Sequence, residues 1–174
     1  MEHYKILRKG DRVKYMCIRC GRCCGTGPNV ALTIYDICRI AKYMNVNWRD
    51  LRGKYIIAVI ADMIPIPILR GLGDRCAFLD QNEELPTCII YPVRPMRCKI
   101  YPFIPLSPSK EDEIALDTHC LGVGEGEEIE PPWNLIKEYY RELKQHYSML
   151  YDLVFNKGYE PLEALEKALD DLCG

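Results

Sequence analysis

Four cysteines, Cys17, Cys20, Cys23 and Cys24, fall within one stretch of eight residues. Gaps of two residues let a single loop direct successive sulfurs at one centre, as in zinc knuckles and iron–sulfur loops. Adjacent side chains usually diverge, so we expect Cys23 and Cys24 to face different directions, with at most one of them in any one site. The stretch therefore predicts a chelating loop and leaves open whether the chain has one site or two.

Four further cysteines lie far apart in the sequence, each in a segment bounded by turns. They are Cys76, Cys88, Cys98 and Cys120. Each such position can present its sulfur at the end of a helix or strand. The hypothesis is that Cys17 and Cys20 act together, and that Cys88 and Cys98 help to close the cage around a metal.

Cationic residues adjoin the cysteines in three separate segments of the chain. They are Arg19, Arg22, Arg75, Arg97 and Lys99. Positive neighbours lower a thiol pKa and favour the thiolate that metals bind. They also offset the charge of about −2 that a zinc ion or a four-iron cluster carries with four thiolates. Any single one could be a solvated surface charge, but their recurrence favours thiolate sites.

Length and charge limit the class of protein. The chain has 174 residues, so we expect a single domain over residues 1–174. Its formal net charge of −2 gives no reason to expect a nucleic acid or a membrane surface as partner. No signal sequence or membrane span of ~18 apolar residues is found, so a cytoplasmic protein with reduced thiols is expected. Scarce glutamine is typical of thermophiles, and intracellular proteins of hyperthermophiles can carry disulfides. Disulfide bonding therefore stays open as an alternative role for the cysteines.

The elements that must position the cysteines are short. Thr33 and Asp36 predict a capping box for a helix that runs to about Met44. Cys38 lies on the apolar face of that helix and is expected to be a small core hydrophobe. Asn47 predicts a second cap, with a short helix to about Lys54.

Short strands and turns are predicted over the middle of the chain. β-branched residues predict a strand over 55–60, and shorter strand candidates follow at 76–79 and 88–91. One helical turn is expected at 93–98, with Pro95 at its first position, and a loop is expected at 122–126.

A helical hairpin is predicted at the C-terminal end. A heptad stripe predicts a long helix over about 133–156, stopped by Gly158, with core packing as its expected use. The stripe consists of Trp133, Ile136, Tyr140, Leu143, Tyr147, Leu150 and Val154. Pro161 begins a last helix, and Cys173 is expected to fray. The apolar face of that last helix is predicted to be Leu162, Leu165, Leu169 and Leu172. The predicted fold class is α+β: a small, irregular, cysteine-clamped region with short strands and helices, plus a C-terminal helical hairpin.

Taken together, the motifs resemble the zinc- or iron-chelating cysteine-cluster (CxxCxxCC, YkgJ-like) domain family. The resemblance covers residues 13–126. It rests on Cys17-x2-Cys20-Gly21-x-Cys23-Cys24, the helix start from Thr33 to Asp36, Cys76-x-Phe78-Leu79, the run from Cys88 to Phe103, and Cys120-x-Gly122. It implies metal binding by eight matched cysteines: Cys17, Cys20, Cys23, Cys24, Cys76, Cys88, Cys98 and Cys120. The helical extension over residues 131–173 lies outside the resemblance.

Sulfur-only ligation selects zinc or an iron–sulfur cluster over magnesium or calcium. Spacing does not decide between them; an iron–sulfur cluster of the 4Fe–4S type is the first expectation and zinc the second. His119, beside Cys120, is an alternative ligand. No catalytic residues can be assigned, because the chain lacks a dinucleotide-binding glycine motif, a phosphate loop, a Ser-His-Asp set and an H-E-x-x-H motif.

Several functions are compatible with such a site. The first expectation is a metal-binding protein with an accessory or redox role. The alternatives are a structural zinc module that contacts a protein partner, and a metal carrier. One branch of the resembled family methylates flagellin lysines with S-adenosylmethionine, so part of a protein-modifying methyltransferase system is a further alternative, by analogy alone. Whether the chain is an enzyme stays open.

Overall fold

The computed structural model describes residues 3–25, 29–80, 82 and 84–174. Its fold is α+β, which confirms the predicted class: short strands and helices carry most of the cysteines, and a helical region forms the C-terminal part. In these ranges no helix is both long enough and apolar enough to cross a membrane.

The strands pair in an antiparallel manner. They are β1 (Tyr4–Arg8), β2 (Val13–Tyr15), β3 (Ile56–Ala61), β4 (Ile64–Leu69), β5 (Gly71–Leu72), β6 (Arg75–Cys76), β7 (Leu79–Asp80), β8 (Thr87–Cys88), β9 (Phe103–Pro105), β10 (Glu113–Asp117) and β11 (Val123–Ile129). One sheet has the order β1-β10-β9, and the remaining pairs are β2 with β11, β3 with β4, β5 with β6, and β7 with β8.

The helices are α1 (Arg22–Gly25), α2 (Ile34–Met44), α3 (Trp48–Leu51), α4 (Met96–Ile100), α5 (Trp133–Tyr151) and α6 (Pro161–Cys173), with a 3-10 turn at Tyr91–Val93 and a π-helical turn at Asp152–Asn156. Three of the helices, α2, α3 and α6, begin where the sequence predicts. The predicted capping box of α2 is confirmed, because the side chains of Thr33 and Asp36 each accept the other's backbone N–H. Asn45 ends this helix in a left-handed conformation.

Two hydrophobic cores support these elements. The first core lies between α2, α3, α6 and the β3–β4 hairpin, and it includes Ile34, Ile40 and Leu169. The second core lies between the three-stranded sheet, α4 and α5, and it includes Leu7 and Ile114. Burying an apolar side chain of this size contributes about 1.5–3 kcal/mol, so the cores rather than the short strands stabilise the fold.

The strand predictions for the middle of the chain are only partly right. The strand predicted over 55–60 is confirmed as β3, but the one predicted over 76–79 is wrong, because a turn separates β6 from β7. The loop predicted over 122–126 is also wrong. Residues 123–126 belong to β11; Val123 pairs with Tyr15 of β2, more than a hundred residues earlier in the chain, and the register then shifts between Val123 and Glu128.

The buried face of α5 differs from the predicted stripe. Tyr147 is 39% exposed, whereas its neighbour His146 is only 1% exposed. Glu142 is buried as well. The reason is tertiary: Glu142 accepts hydrogen bonds from Arg39 of α2, and Nδ1 of His146 accepts the N–H of Ile34.

A disulfide joins Cys38 of α2 to Cys173 of α6, with their Cα atoms 5.2 Å apart. The expectations of a free core thiol at Cys38 and a frayed end at Cys173 are therefore wrong. Packing of α6 across α2 brings the two positions together.

The apolar face of α6 also differs from the prediction, since Leu162 is half exposed and Ala164 and Ala168 are buried in its place.

Candidate metal centre

Four of the predicted ligands pack against the first core. We call Cys24, Cys76, Cys88 and Cys98 the inner set. Cys76, at the end of β6, is buried, and α1, which carries Cys24, lies against β6. Burial raises the pKa of the Cys98 thiol most, and negative charge at Cys76, Cys23 and Cys88 raises it further.

The inner set depends on a close approach at Gly21. A Cβ atom at this position would lie 2.8 Å from Cβ of Pro86, and Gly21 has a φ of +70°. Only glycine fits both conditions without strain. The loop that carries the first four cysteines can therefore lie directly against the segment that leads into β8 and Cys88.

Four other predicted ligands lie closer to solvent. We call Cys17, Cys20, Cys23 and Cys120 the outer set; the first three are exposed and Cys120 is half-buried. Burial raises the pKa of the Cys120 thiol most, and negative charge at Cys20, Cys23 and Cys17 adds to this effect. Cys120 therefore interacts with the loop that carries Cys17, Cys20 and Cys23.

Gly122 allows that arrangement. Tyr15 pairs with Val123, and the N–H of Met16 donates to the carbonyl of Gly122 at 3.1 Å. A Cβ atom at Gly122 would lie 2.3 Å from the carbonyl oxygen of Met16, so a larger residue cannot occupy the position without moving the backbone. This contact brings Cys17 and Cys120 to the same end of the strand pair.

Cys23 and Cys24 lie on the single helical turn α1, which the sequence did not predict. Their Sγ atoms are 3.9 Å apart. The expectation that they face different directions is therefore wrong. The hydrogen bond from the Cys24 thiol is the main cause that lowers the pKa of Cys23 to about 6, while the same contact and burial raise the pKa of Cys24.

Arg94 is a cation near the sulfurs that the sequence did not identify. Arg94 lowers the pKa of both Cys23 and Cys88, although burial is the larger effect at Cys88 and raises it. The guanidinium of Arg94 stacks on the ring of Tyr91 at 4.0 Å, and that of Arg19 lies 4.5 Å from the same ring. Arg94 adjoins no cysteine in the sequence, which is why adjacency did not identify it.

Asp36 holds the helix that carries Cys98, although the sequence identified it only as a helix cap. Its carboxylate, 1% exposed, accepts the N–H of Met96 at 3.1 Å as well as that of Thr33. Arg39 donates to the same carboxylate at 2.7 Å. Asp36 therefore fixes the start of α4, two residues before Cys98.

The histidines lie apart from the inner set. His119 is paired with Asp117 at 3.5 Å, and its ring stacks on that of His3 at 3.7 Å between centroids. His146 is buried at the α2–α5 contact. Only His119 adjoins a cysteine of either set, so its role as an alternative ligand of the outer set stays a prediction.

The donor set fits a metal that prefers sulfur. All eight predicted ligands are free thiols. In the described part of the chain, no three cysteine, histidine or carboxylate side chains converge closely enough to hold an ion as they stand. Free thiols need not converge, because metal binding itself deprotonates and gathers its ligands.

The hypothesis that Cys88 and Cys98 help to close a cage around a metal with Cys17 and Cys20 stays a prediction. The ligand roles of the eight cysteines stay a prediction.

Part of the chain is similar to known sequences. An uncharacterized protein of Methanocaldococcus jannaschii (MJ0661) is 33% identical over 91 residues, which are 52% of this chain and 46% of that protein. The chain thus matches about half the length of this relative. No solved structure matches the chain. The CxxCxxCC family, described as a "putative zinc- or iron-chelating domain", matches residues 16–121, and the chain belongs to this family.

Proposed function

We propose that this chain is a metal-binding protein that holds an iron–sulfur cluster through its cysteine thiolates and serves an accessory or redox role. One observation carries the proposal. Eight cysteines that are scattered over more than a hundred residues remain free thiols, while Cys38 and Cys173 of the same chain are oxidised. Sulfur-only donor sets select iron–sulfur clusters and zinc.

The surroundings of the sulfurs support the same proposal. Burial of the inner set raises the pKa of Cys76, Cys88 and Cys98, so a bound metal is needed to hold these groups as thiolates. The group would supply Lewis acidity or electron transfer. The chain's own residues position the sulfurs, exclude water on the inner side and place the Arg94 charge beside them.

Zinc is the second candidate, and one distance favours it. Two thiolates on a tetrahedral zinc ion with Zn–S bonds of about 2.3 Å lie about 3.8 Å apart. The sulfurs of Cys23 and Cys24 are separated by 3.9 Å. Ligands of a four-iron cluster bind different irons and lie further apart, so this doublet cannot supply two ligands to one such cluster without rearranging.

Metal analysis and absorption spectroscopy on protein purified without oxygen test the proposal. We expect iron and acid-labile sulfide in equal amounts, with broad visible absorption from sulfur-to-iron charge transfer. Stoichiometric zinc with no visible absorption would replace the iron proposal by the zinc one. A protein that retains neither metal, and takes up neither after reduction, would contradict metal binding altogether.

A further inference from the structure

Strand β3 leaves one edge of its hairpin unpaired. Pro67 of β4 lies opposite Ala58, and its carbonyl accepts the N–H of Leu32, so this carbonyl points away from β3. In such a pair of an antiparallel ladder, both residues direct their N–H and C=O groups away from each other. Ala58, and Ile60 two residues further on, therefore direct these groups away from β4. In the part of the chain that the structure describes, no hydrogen bond reaches them.

This edge lacks the features that usually protect an edge strand. Charged side chains, prolines and bulges prevent unwanted pairing. The six residues of β3 are all aliphatic, and they pair with β4 without a shift of register. The other edge of the hairpin differs, because β4 contains Pro65 and Pro67 and is bridged by Ala31. β3 is therefore the edge of this hairpin that is open to another strand.

An apolar groove lies between β3 and α6. It has a volume of about 270 Å³, and its lining includes Ile56 and Ala58 of β3 and Leu162 and Leu165 of α6. Ala58 contributes only a methyl group to this lining, and Leu162 is half exposed. A strand added to the edge of β3 would therefore lie beside an apolar groove that can receive one of its side chains.

Ile60 is a large apolar side chain that the fold leaves in solvent. It is 53% exposed, although it lies on the same face of the hairpin as Pro65, which is buried opposite it. Ala58 lies on that face as well, because side chains alternate between the two faces of a strand. The strand thus carries a protruding apolar side chain two residues away from an apolar groove.

We propose that a second copy of this chain occupies the edge, with the two β3 strands antiparallel about a two-fold axis at Val59. In this register Ala58 of each copy lies opposite Ile60 of the other, as a hydrogen-bonded pair. The two N–H groups of each copy donate to the two carbonyl groups of the other, so no edge group of Ala58 or Ile60 stays unpaired. Each Ile60 enters the groove beside Ala58 of the other copy, since opposite residues share a face.

Symmetry and charge favour a second copy over another protein. A two-fold interface needs a surface that is complementary to itself, and here the protruding side chain and its groove lie on one strand. The same register brings Asp62, in the turn of one hairpin, to the end of the other β3, where Lys54 is exposed. Opposite charges therefore meet on either side of the axis. Strands of six residues give a small interface, so we expect a reversible dimer.

Sedimentation velocity of the full chain tests the proposal, over a wide range of concentration and without oxygen, so that exposed thiols cannot link copies. We expect the mass to rise from monomer to dimer. Ile60→Asp should weaken the dimer at least tenfold, because a charge cannot enter the apolar groove without loss of hydration. Ile6→Asp is the matched control, since Ile6 is 49% exposed on β1, the edge strand of the three-stranded sheet. It should dimerise like the unmodified chain.

A mixture of two variants tests the register. Ala58→Lys and Ile60→Asp should each be monomeric, with circular dichroism showing that both are folded. Mixed together they should dimerise, because the new ammonium group of one chain then lies opposite the new carboxylate of the other. Failure of two folded variants to associate would contradict the pairing of Ala58 with Ile60.

Amide hydrogen exchange follows the same pairing in the unmodified chain, even if a variant does not fold. The N–H groups of Ala58 and Ile60 should exchange more slowly as the concentration rises, whereas that of Val59, which faces β4, should not change. A chain that stays monomeric at every concentration would overturn the inference and leave this edge to a strand of another protein. A dimer that forms without protecting Ala58 and Ile60, or that Ile60→Asp leaves intact, would overturn the assignment to β3.

Discussion

At the scale of single residues, two kinds of position control the centre. Glycines set how closely segments approach, as Gly21 does at Pro86 and Gly122 at Met16. Buried polar side chains set how the helices join, as His146 does by accepting the N–H of Ile34 at 3.1 Å. Both kinds act through neighbours that are distant in sequence.

Gly122→Ala should weaken the β2–β11 pair. A new Cβ atom would lie 2.3 Å from the carbonyl oxygen of Met16, which forces the backbone to move. We expect a loss of about 1–3 kcal/mol in the free energy of unfolding, measured by denaturant titration. Gly124→Ala in the same strand is the control, because its Cβ atom would contact nothing within 4 Å and only its φ of +95° is strained. Equal losses for both variants would show that the close approach has no effect.

Stability should fall in acid because of His146. Burial lowers its pKa to about 4 from an ordinary value of 6.5. The folded state then binds fewer protons than the unfolded state, so the stabilisation is complete above pH about 6.5 and is lost progressively down to pH about 4. The loss should be on the order of 3 kcal/mol.

His146→Asn keeps an acceptor for the N–H of Ile34 and cannot titrate. We therefore expect its unfolding free energy to change less between pH 7 and pH 4 than that of the unmodified chain, with both measured without metal by denaturant titration. Parallel pH curves for the two proteins would show that His146 does not titrate as the burial requires.

At the scale of elements, short helices and strand pairs present the sulfurs. α1 is a single turn, and α4 has five residues. Helices this short are not stable alone, so their positions depend on contacts with longer elements. For α4 that contact is made by Asp36 of α2, whose carboxylate accepts the N–H of Met96, two residues before Cys98.

Asp36→Asn should loosen α4. Arg39 and two backbone N–H groups lose a buried charged acceptor, and we expect a loss of about 3–5 kcal/mol in the free energy of unfolding. Metal retention by Cys98 should decrease as well. Asp50→Asn is the matched control, since Asp50 holds the same place in the exposed capping box of α3 and its loss should cost at most about 1 kcal/mol.

Chemical denaturation gives the stability of both variants, and zinc retention against a chelator gives their effect on the centre. If Asp36→Asn and Asp50→Asn lose equal stability, Asp36 is an ordinary helix cap. If Asp36→Asn is destabilised and yet retains zinc like the unmodified chain, its role in positioning Cys98 is contradicted.

At the scale of the whole molecule, the last helix is tied back to the first long one. Cys38 and Cys173 are 135 residues apart in sequence, so their disulfide encloses most of the chain, including four of the eight predicted ligands: Cys76, Cys88, Cys98 and Cys120. A link that closes so long a loop restricts the unfolded chain strongly. It leaves the eight thiols of the centre free.

Removing this link should destabilise the fold and spare the centre. For a loop longer than a hundred residues the chain-entropy treatment gives about 5 kcal/mol as an upper value. We expect the double variant Cys38→Ser with Cys173→Ser to melt at a lower temperature and to bind the same amount of zinc. Calorimetry and metal analysis measure the two effects. An unchanged melting temperature would contradict the structural role, and a loss of zinc would show that the helical end also supports the centre.

Which structural features could be predicted from the sequence depends on how far apart in the sequence the interacting residues are. The capping boxes at Thr33 and Asn47 and the start of α6 at Pro161 were predictable, because their hydrogen bonds and steric limits lie within three or four residues. The buried face of α5 was not, because Glu142 and His146 are buried by partners about a hundred residues away.

The sequence by itself determined the class of chemistry. Eight cysteines with their spacing, flanked by glycine and arginine, indicate a metal centre with sulfur ligands, since ligand type depends only on residue identity. The tertiary structure decided how the sulfurs are grouped, because strand pairing, helix packing and glycine contacts join segments that the sequence keeps apart. It also decided that Cys38 and Cys173 form a disulfide, since only the packing of α6 on α2 brings their Cα atoms within bonding range.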